Sequence, residues 1–219
     1  MVGAASSLAP AARSYAADFE REHSGVKITI LAAGSDEIAA RVRIAGGVDV
    51  VASASKKISD ALYAEGLTTT PITIAGNRLV VVASSRGPVN SIEDLAVPGR
   101  RLVVGSAGVP IGDYTAEAFE RLGISAQVDA NVISREPNVL GVIGKVTTGA
   151  ADAGVVYASD AKGLDGVRTI AVPARAQPVI AYAAATRVDA PPIATTFIQG
   201  LIAPGGQATL RSFGFEGAG

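Results

Sequence analysis

Four segments of the sequence join a turn of small residues to the start of a helix-like stretch. They are Ala4-Ala5-Ser6-Ser7-Leu8, Ala32-Ala33-Gly34-Ser35-Asp36-Glu37, Gly108-Val109-Pro110-Ile111-Gly112-Asp113-Tyr114 and Arg135-Glu136-Pro137-Asn138-Val139. A helix start leaves backbone N–H groups with no intrahelical acceptor, and the helix dipole adds positive potential there. Such a turn can hold an anion. Ser7 and Ser35 each add a hydroxyl donor, and small neighbours let a ligand come close to the main chain. Plain capping is the competing explanation for any single turn, because serine is a favoured N-cap residue. Repetition of the pattern is what favours an anion site.

Other chemistry finds few residues. The chain has no Cys and one His, His23. That excludes thiol nucleophiles, disulfides, zinc ribbons and His-rich metal sites, and a Ser-His-Asp triad would have to use His23. His23 stands before Ser24-Gly25 at a helix end, where the dipole favours it. Gly105, Gly108 and Gly112 do not form a dinucleotide fingerprint, and no Lys-Ser/Thr follows as in a phosphate loop. Asp152 and Asp160 flank a strand and read as turn residues. Nineteen basic against twenty acidic residues give a net charge of −1, without the basic footprint of a nucleic-acid binder. Aromatic residues make up 5% and Trp is absent, so stacking platforms are scarce.

The elements that must position these turns alternate from end to end. Helical spacing over Leu8–His23 is followed by a β-branched run at Val26–Leu31. A helix over Ile38–Ala45, closed by Gly46-Gly47, precedes a strand at Val48–Ala52 and a helix at Lys56–Ala64. Leu79–Ala83 is wholly apolar, as in a sheet covered on both faces. Strands follow at Arg101–Gly105, Val128–Ile133, Ala153–Tyr157, Thr169–Val172 and Val179–Ala184. Helices are expected at Asp113–Leu122, Val139–Thr147, Ile193–Ile202 and Gly206–Phe213, with a helical turn at Ile92–Leu95 and a loose Gly-rich tail after Phe215. This order predicts an α/β fold with mainly parallel sheets, whose strand-to-helix turns sit where ligands bind. At 219 residues, 48% hydrophobic and 18% charged, the chain can form one large domain or two small lobes. No low-complexity linker separates them, so two lobes would be joined by crossing strands. No stretch reaches the ~20 apolar residues of a membrane helix. Met1–Ala12 lacks the basic and apolar regions of a signal peptide.

Order and spacing of several motifs together point to a family. They are Ala5-Ser6-Ser7-Leu8, Phe19-Glu20-Arg21-Glu22-His23-Ser24-Gly25-Val26-Lys27-Ile28, Gly34-Ser35, Asp49-Val50-Val51-Ala52-Ser53-Ala54 and Asn77-Arg78-Leu79-Val80-Val81-Val82. Val109-Pro110-Ile111-Gly112-Asp113-Tyr114, a block from Gly149 to Ala161 containing Val155-Val156-Tyr157-Ala158-Ser159-Asp160, and Gly214-Phe215 complete the set. The chain resembles, nearly end to end, the periplasmic molybdate-binding proteins of ABC importers, small type II periplasmic-binding proteins. The resemblance implies a two-lobed α/β fold: residues 1–77 and 183–219 as lobe one, 78–182 as lobe two, and a ligand cleft between them. It implies an oxyanion held by the hydroxyls of Ser7 and Ser35, the N–H groups of Ile111 and Val139, and the hydroxyl of Tyr157. By pattern alone Tyr157 is a strand-end aromatic. The resemblance also implies a binding protein rather than an enzyme, with molybdate or tungstate as cargo and no cofactor or directly ligated metal. It would be a monomer in the periplasm or another extracytoplasmic space, with a membrane permease as partner, no nucleic acid and no membrane insertion.

The chemistry implied is coherent. Molybdate and tungstate are dianions at neutral pH, so they accept hydrogen bonds and donate none. Neutral donors suit them, while an inward-pointing acceptor would favour a protonated oxyanion. Some relatives hold the metal in octahedral form with a carboxylate in place of the tyrosine, so Tyr157 points to tetrahedral binding. Several features depart from the family pattern, among them Ser55, where the family often has Asp. Met1-Val2-Gly3 leaves little room for a first strand before the Ser7 turn, and Ile111 replaces a small residue. Asp36 follows Ser35 directly, either as a first-turn acid favoured by the dipole or as a charge facing the anion. Ile111 and Asp36 keep sulfate or phosphate open as the ligand, and an enzyme or effector domain on the same fold is the remaining alternative.

Overall fold

The structure, a computed structural model, describes residues 1–44 and 47–218. It divides into two compact units, Met1–Asn77 with Ile180–Gly219 and Arg78–Val179. The chain thus returns to the first unit at Ile180, ahead of the residue-183 boundary expected from sequence.

The first unit begins with β1 (Val2–Ala5), α1 (Ala9–Glu22), β2 (Ile30–Ala33) and α2 (Ser35–Arg43). It continues with β3 (Val50–Ser53), α3 (Lys56–Ala64) and β4 (Ile72–Asn77). The second unit holds β5 (Leu79–Ser84), a 3-10 turn at Glu93–Ala96, β6 (Leu102–Gly105), α4 (Pro110–Leu122) and α5 (Ser125–Asp129). Then come β7 (Val132–Glu136), α6 (Val139–Thr147), β8 (Ala153–Tyr157), α7 (Ala158–Ala161) and β9 (Val167–Ala171). After a 3-10 turn at Ala174–Ala176, β10 (Ile180–Thr186), α8 (Pro192–Ile202) and α9 (Pro204–Ser212) complete the first unit.

Each unit is built on one five-stranded sheet, in the orders β2-β1-β3-β10-β4 and β7-β6-β8-β5-β9. The expected parallel pairing is present at one side of each sheet, where β1 joins β2 and β3, and β6 joins β7 and β8. The other side is antiparallel, because β10 runs against β3 and β4, and β5 against β8 and β9. Both sheets are therefore mixed rather than mainly parallel. The strand that reverses direction is in each unit the one next to a crossing: β5 follows the first and β10 the second.

Several elements differ from the sequence reading. A first strand is present, since β1 is a full partner between β2 and β3 and all its residues are buried. Gly3 makes this possible, because a side-chain carbon there would lie 2.7 Å from Ile38 and 3.1 Å from Val48. α2 therefore packs directly on the β1 backbone, and Ile38, Val42 and Val48 fill the core. Val128 lies in α5, and the strand expected at Val128–Ile133 starts only at Val132. β4 and α7 were not anticipated: Ile-Thr-Ile-Ala-Gly-Asn carries weak alternation, and α7 spans only Ala158–Ala161. The tail after Phe215 is pinned through Ala218. Gly76 and Glu216 exchange two backbone hydrogen bonds of 3.0 Å, and Ala218 N–H donates to Gln207 Oε1 at 3.1 Å. Ala45 and Gly46, expected to close α2, lie outside the described residues.

Candidate functional site

In the first unit, Ala5 and Ala33 are register partners at the ends of the parallel neighbours β1 and β2. Ser7 and Ser35 each follow two residues later, so both stand at the same edge of the sheet, and both are buried. Neither serves as a helix cap. The N-cap of α1 is Leu8, that of α2 is Gly34, and neither helix has a side-chain cap. The serine hydroxyls are committed elsewhere. Ser35 Oγ accepts a hydrogen bond from the Ala54 N–H at 3.1 Å. Ser7 Oγ lies 2.8 Å from the hydroxyl of Tyr182 in β10. Because an N–H can only donate, the Ser35 oxygen is an acceptor in its bond and its hydrogen is available for a further acceptor.

In the second unit, Ile111, Val139 and Tyr157 stand at the carboxyl ends of the neighbours β6, β7 and β8, and all three are buried. Val109 precedes α4 in extended conformation, Pro110 opens the helix, and Ile111 is its second residue. N–H groups at such positions have no intrahelical acceptor. The turn is tight: a side-chain carbon on Gly112 would lie 1.9 Å from the Ser106 carbonyl oxygen. One on Gly105 would lie 2.6 Å from Ile111 Cγ2, so the Ile111 side chain covers the open side of Gly105. Asp113 Oδ1 accepts the Gly108 N–H at 2.7 Å and braces the loop.

Asn138 is the N-cap of α6, and its Oδ1 accepts from Leu140 N–H at 3.0 Å and Gly141 N–H at 3.4 Å. The Val139 N–H precedes these two and lies outside the cap. Tyr157 ends β8 and is the N-cap residue of α7, pairing in register with Leu79.

Acidic residues near these turns divide clearly. Asp36 is exposed, and Glu37 pairs with Arg41 at 3.5 Å, as first-turn acids on a helix surface do. Asp152 is held by Arg101. Its carboxylate takes the Arg101 N–H at 2.9 Å, Nε at 3.1 Å and Nη2 at 2.7 Å. Burial alone would raise its pKa, but these bonds outweigh it and hold the carboxyl below its ordinary value. Asp160 is a helix residue of α7 rather than a turn residue. It is half-buried, with Oδ2 shut from solvent and no hydrogen-bond partner for that atom among the described residues. Burial pushes this carboxyl up to about 7, and the Tyr157 N–H opposes the shift without cancelling it.

Two residues with a direct bearing on the serine turns escaped the sequence reading as site members. Tyr182 contacts Ser7, and Asn77 Nδ2 lies 3.5 Å from the Tyr182 hydroxyl oxygen. Tyr182 sits in an Ala-rich strand, and only its isolation among small residues could have marked it. Asn77 was read as a crossing residue, and it is indeed the last of the first unit. His23 stacks on Phe19 with ring centroids 3.8 Å apart, and its Nδ1 lies 3.0 Å from the Phe19 carbonyl oxygen. No cluster of three or more metal-ligating side chains occurs among the described residues.

Residues 1–216 match the family model described as bacterial extracellular solute-binding protein. The molybdate-binding protein ModA of Mycobacterium tuberculosis is 34% identical over 221 residues, covering 98% of this chain and 83% of the relative. Its namesake from Escherichia coli is 33% identical over 184 residues, 78% of this chain and 69% of the relative. Among solved structures, the Azotobacter vinelandii periplasmic molybdate-binding protein superposes with a TM-score of 0.88 at 21% identity, covering 98% of this chain and 97% of that one.

Proposed function

The chain belongs to the bacterial extracellular solute-binding protein family, and we propose that it is the substrate-binding component of an ABC importer that captures molybdate or tungstate. The hydroxyls of Ser7, Ser35 and Tyr157 and the N–H groups of Ile111 and Val139 are the proposed donors. Their ligand is then passed to a membrane permease outside the cytoplasm. The relatives named molybdate-binding proteins support this reading across most of the chain.

One observation of the structure carries the chemistry. The Ser35 oxygen accepts from the Ala54 N–H, so that bond leaves its hydrogen to give to a ligand. A group so arranged favours a ligand that only accepts. A fully ionised tetrahedral oxyanion is such a ligand. The Val139 N–H, outside the Asn138 cap, is a second donor of the same kind. Hydrogen bonds to an ionised acceptor are about twice as strong as neutral ones, which lets neutral groups hold a dianion without Lys or Arg. Binding without a covalent step needs no nucleophile or base, in keeping with a solute-binding protein rather than an enzyme.

Isothermal titration with molybdate, tungstate, sulfate and phosphate at neutral pH tests the proposal. One-to-one binding of the first two, with little heat from the others, is the expected result. A preference for phosphate would mean that an acceptor faces the ligand, and a preference for sulfate that the cage is too small.

A further inference from the structure

Tyr182 is the largest polar side chain of the first unit to be wholly shut from solvent, at 0% exposure. Three features fix its ring. It lies in β10, between β3 and β4, and the pairing with β4 shifts register between Tyr182 and Ala183. Its ring meets Phe215 edge-on, with centroids 5.2 Å apart and planes at 87°. Its hydroxyl reaches Ser7 Oγ at 2.8 Å, with Asn77 Nδ2 3.5 Å away on the tyrosine oxygen. A phenol so held is not a general-purpose core residue, because burying its hydroxyl has a cost that an apolar ring would avoid.

The direction of the Ser7–Tyr182 bond matters. A serine hydroxyl carries one hydrogen. If Ser7 gives that hydrogen to Tyr182, it presents only lone pairs elsewhere and repels a dianion. If Tyr182 donates to Ser7, the serine hydrogen remains for the ligand. Two facts favour the second arrangement. The phenol O–H is more acidic than an alkyl O–H, which makes it the better donor. Asn77 Nδ2, 3.5 Å from the tyrosine oxygen, can only donate, so it takes one phenol lone pair and disfavours Ser7 as a second donor to the same oxygen. Each bond polarises the next along such a chain. Ser35 reaches the same state by main chain alone, through Ala54 N–H.

We propose that Tyr182, backed by Asn77, is a positioning residue that orients the Ser7 hydroxyl as a donor to the oxyanion. The proposal rests on the oxyanion-binding reading above and deepens it. Tyr182 does not touch the ligand in this account; it acts through Ser7.

The test is a double-mutant cycle in affinity, read by titration with molybdate. Tyr182→Phe in the wild-type background should weaken binding about five- to tenfold, the worth of one hydrogen bond. In a Ser7→Ala background the same change should matter less than about twofold, since the group it orients is gone. In a Ser35→Ala background its full effect should remain, because Ser35 is oriented by the main chain. Equal losses in all three backgrounds would make Tyr182 a merely structural residue and overturn the proposal. A wild type that binds none of molybdate, tungstate, sulfate or phosphate would instead overturn the functional reading. A ligand-free measurement separates the two failures. With 13C-labelled tyrosine, the Tyr182 Cζ resonance should move on Ser7→Ala without any anion present. An unmoved resonance would show that the Ser7–Tyr182 bond does not form, and sink the proposal whatever the protein binds.

Discussion

The two units use one strand plan with different donors. In each, the turns after three neighbouring parallel strands carry the candidate groups, after β1, β2 and β3 in the first and after β6, β7 and β8 in the second. After the first strand stand Ser7 and Ile111, and after the second stand Ser35 and Val139. The first unit offers side-chain hydroxyls at both places, and the second offers main-chain N–H groups. After the third strand the roles cross. There the second unit supplies a side chain, Tyr157, while the first supplies a main-chain group, Ala54 N–H, which supports Ser35. A hydroxyl can donate or accept, so it must be oriented by a partner. A main-chain N–H can only donate, so it needs only a helix start that leaves it uncapped. The first unit therefore carries supporting contacts behind its serines, and the second carries close-approach glycines, Gly105 and Gly112, which aim the backbone.

This contrast makes the largest predicted effects opposite in kind. Ser35→Ala removes a donor by truncating a side chain and should weaken molybdate binding about 10- to 100-fold by titration. In the second unit the equivalent loss requires deleting an N–H. Val139→Pro does so at the first helical position, where proline is favoured. Asn138 before it is extended, as the residue preceding a proline must be. Binding should fall by a similar factor while the far-ultraviolet circular dichroism stays unchanged. If Val139→Pro bound as well as the wild type, the main-chain role of the second unit would be wrong.

Tyr157→Phe should have an intermediate effect, about tenfold in affinity, because it removes one hydroxyl and keeps the ring that packs at the end of β8. Asp160, three residues further on, sharpens the contrast with pH rather than ligand. Its carboxyl has an ordinary value of 3.8 in the unfolded chain and one near 7 in the folded protein. Between those values the folded state holds a proton that the unfolded state has lost. Its contribution to stability is therefore complete below about pH 4, falls as pH rises to about 7, and is flat above. Asp160→Asn should remove that slope. Its melting temperature should exceed the wild type's by at least about 2 °C above pH 7, and the gap should close towards pH 4. The smallest effects are expected for Val139→Ala and Ile111→Ala. Both keep their N–H, so molybdate affinity should change less than about threefold, although loss of buried apolar volume should lower the melting point.

Much of the fold was legible because strand, turn and helix are local. Val139–Thr147 and Ala153–Tyr157 have the bounds expected from sequence, since Asn138 and the apolar run each carry their own signal. The turns bearing Ser7, Ser35, Ile111 and Val139 were visible for the same reason, and Tyr157 was added by family resemblance. The antiparallel course of β5 and β10 was not visible, because an apolar run reads alike in either direction. Nor was β1, whose Val2-Gly3-Ala4-Ala5 has weak strand propensity and is made a strand by neighbours on both sides.

The sequence by itself thus determined which residue types stand at which helix starts, and with that a candidate site of neutral donors rather than of charges, thiols or imidazoles. Tertiary structure decided which group stands behind each serine. Ser7 meets Tyr182 across 175 positions of chain and Ser35 meets Ala54 across 19. Serine has the same propensity for a cap in every local context, and its oxygen bonds to whatever packing brings within about 3 Å. Only the assembled sheet, with β10 laid against β3 and β4, puts a phenol behind one serine and a main-chain N–H behind the other.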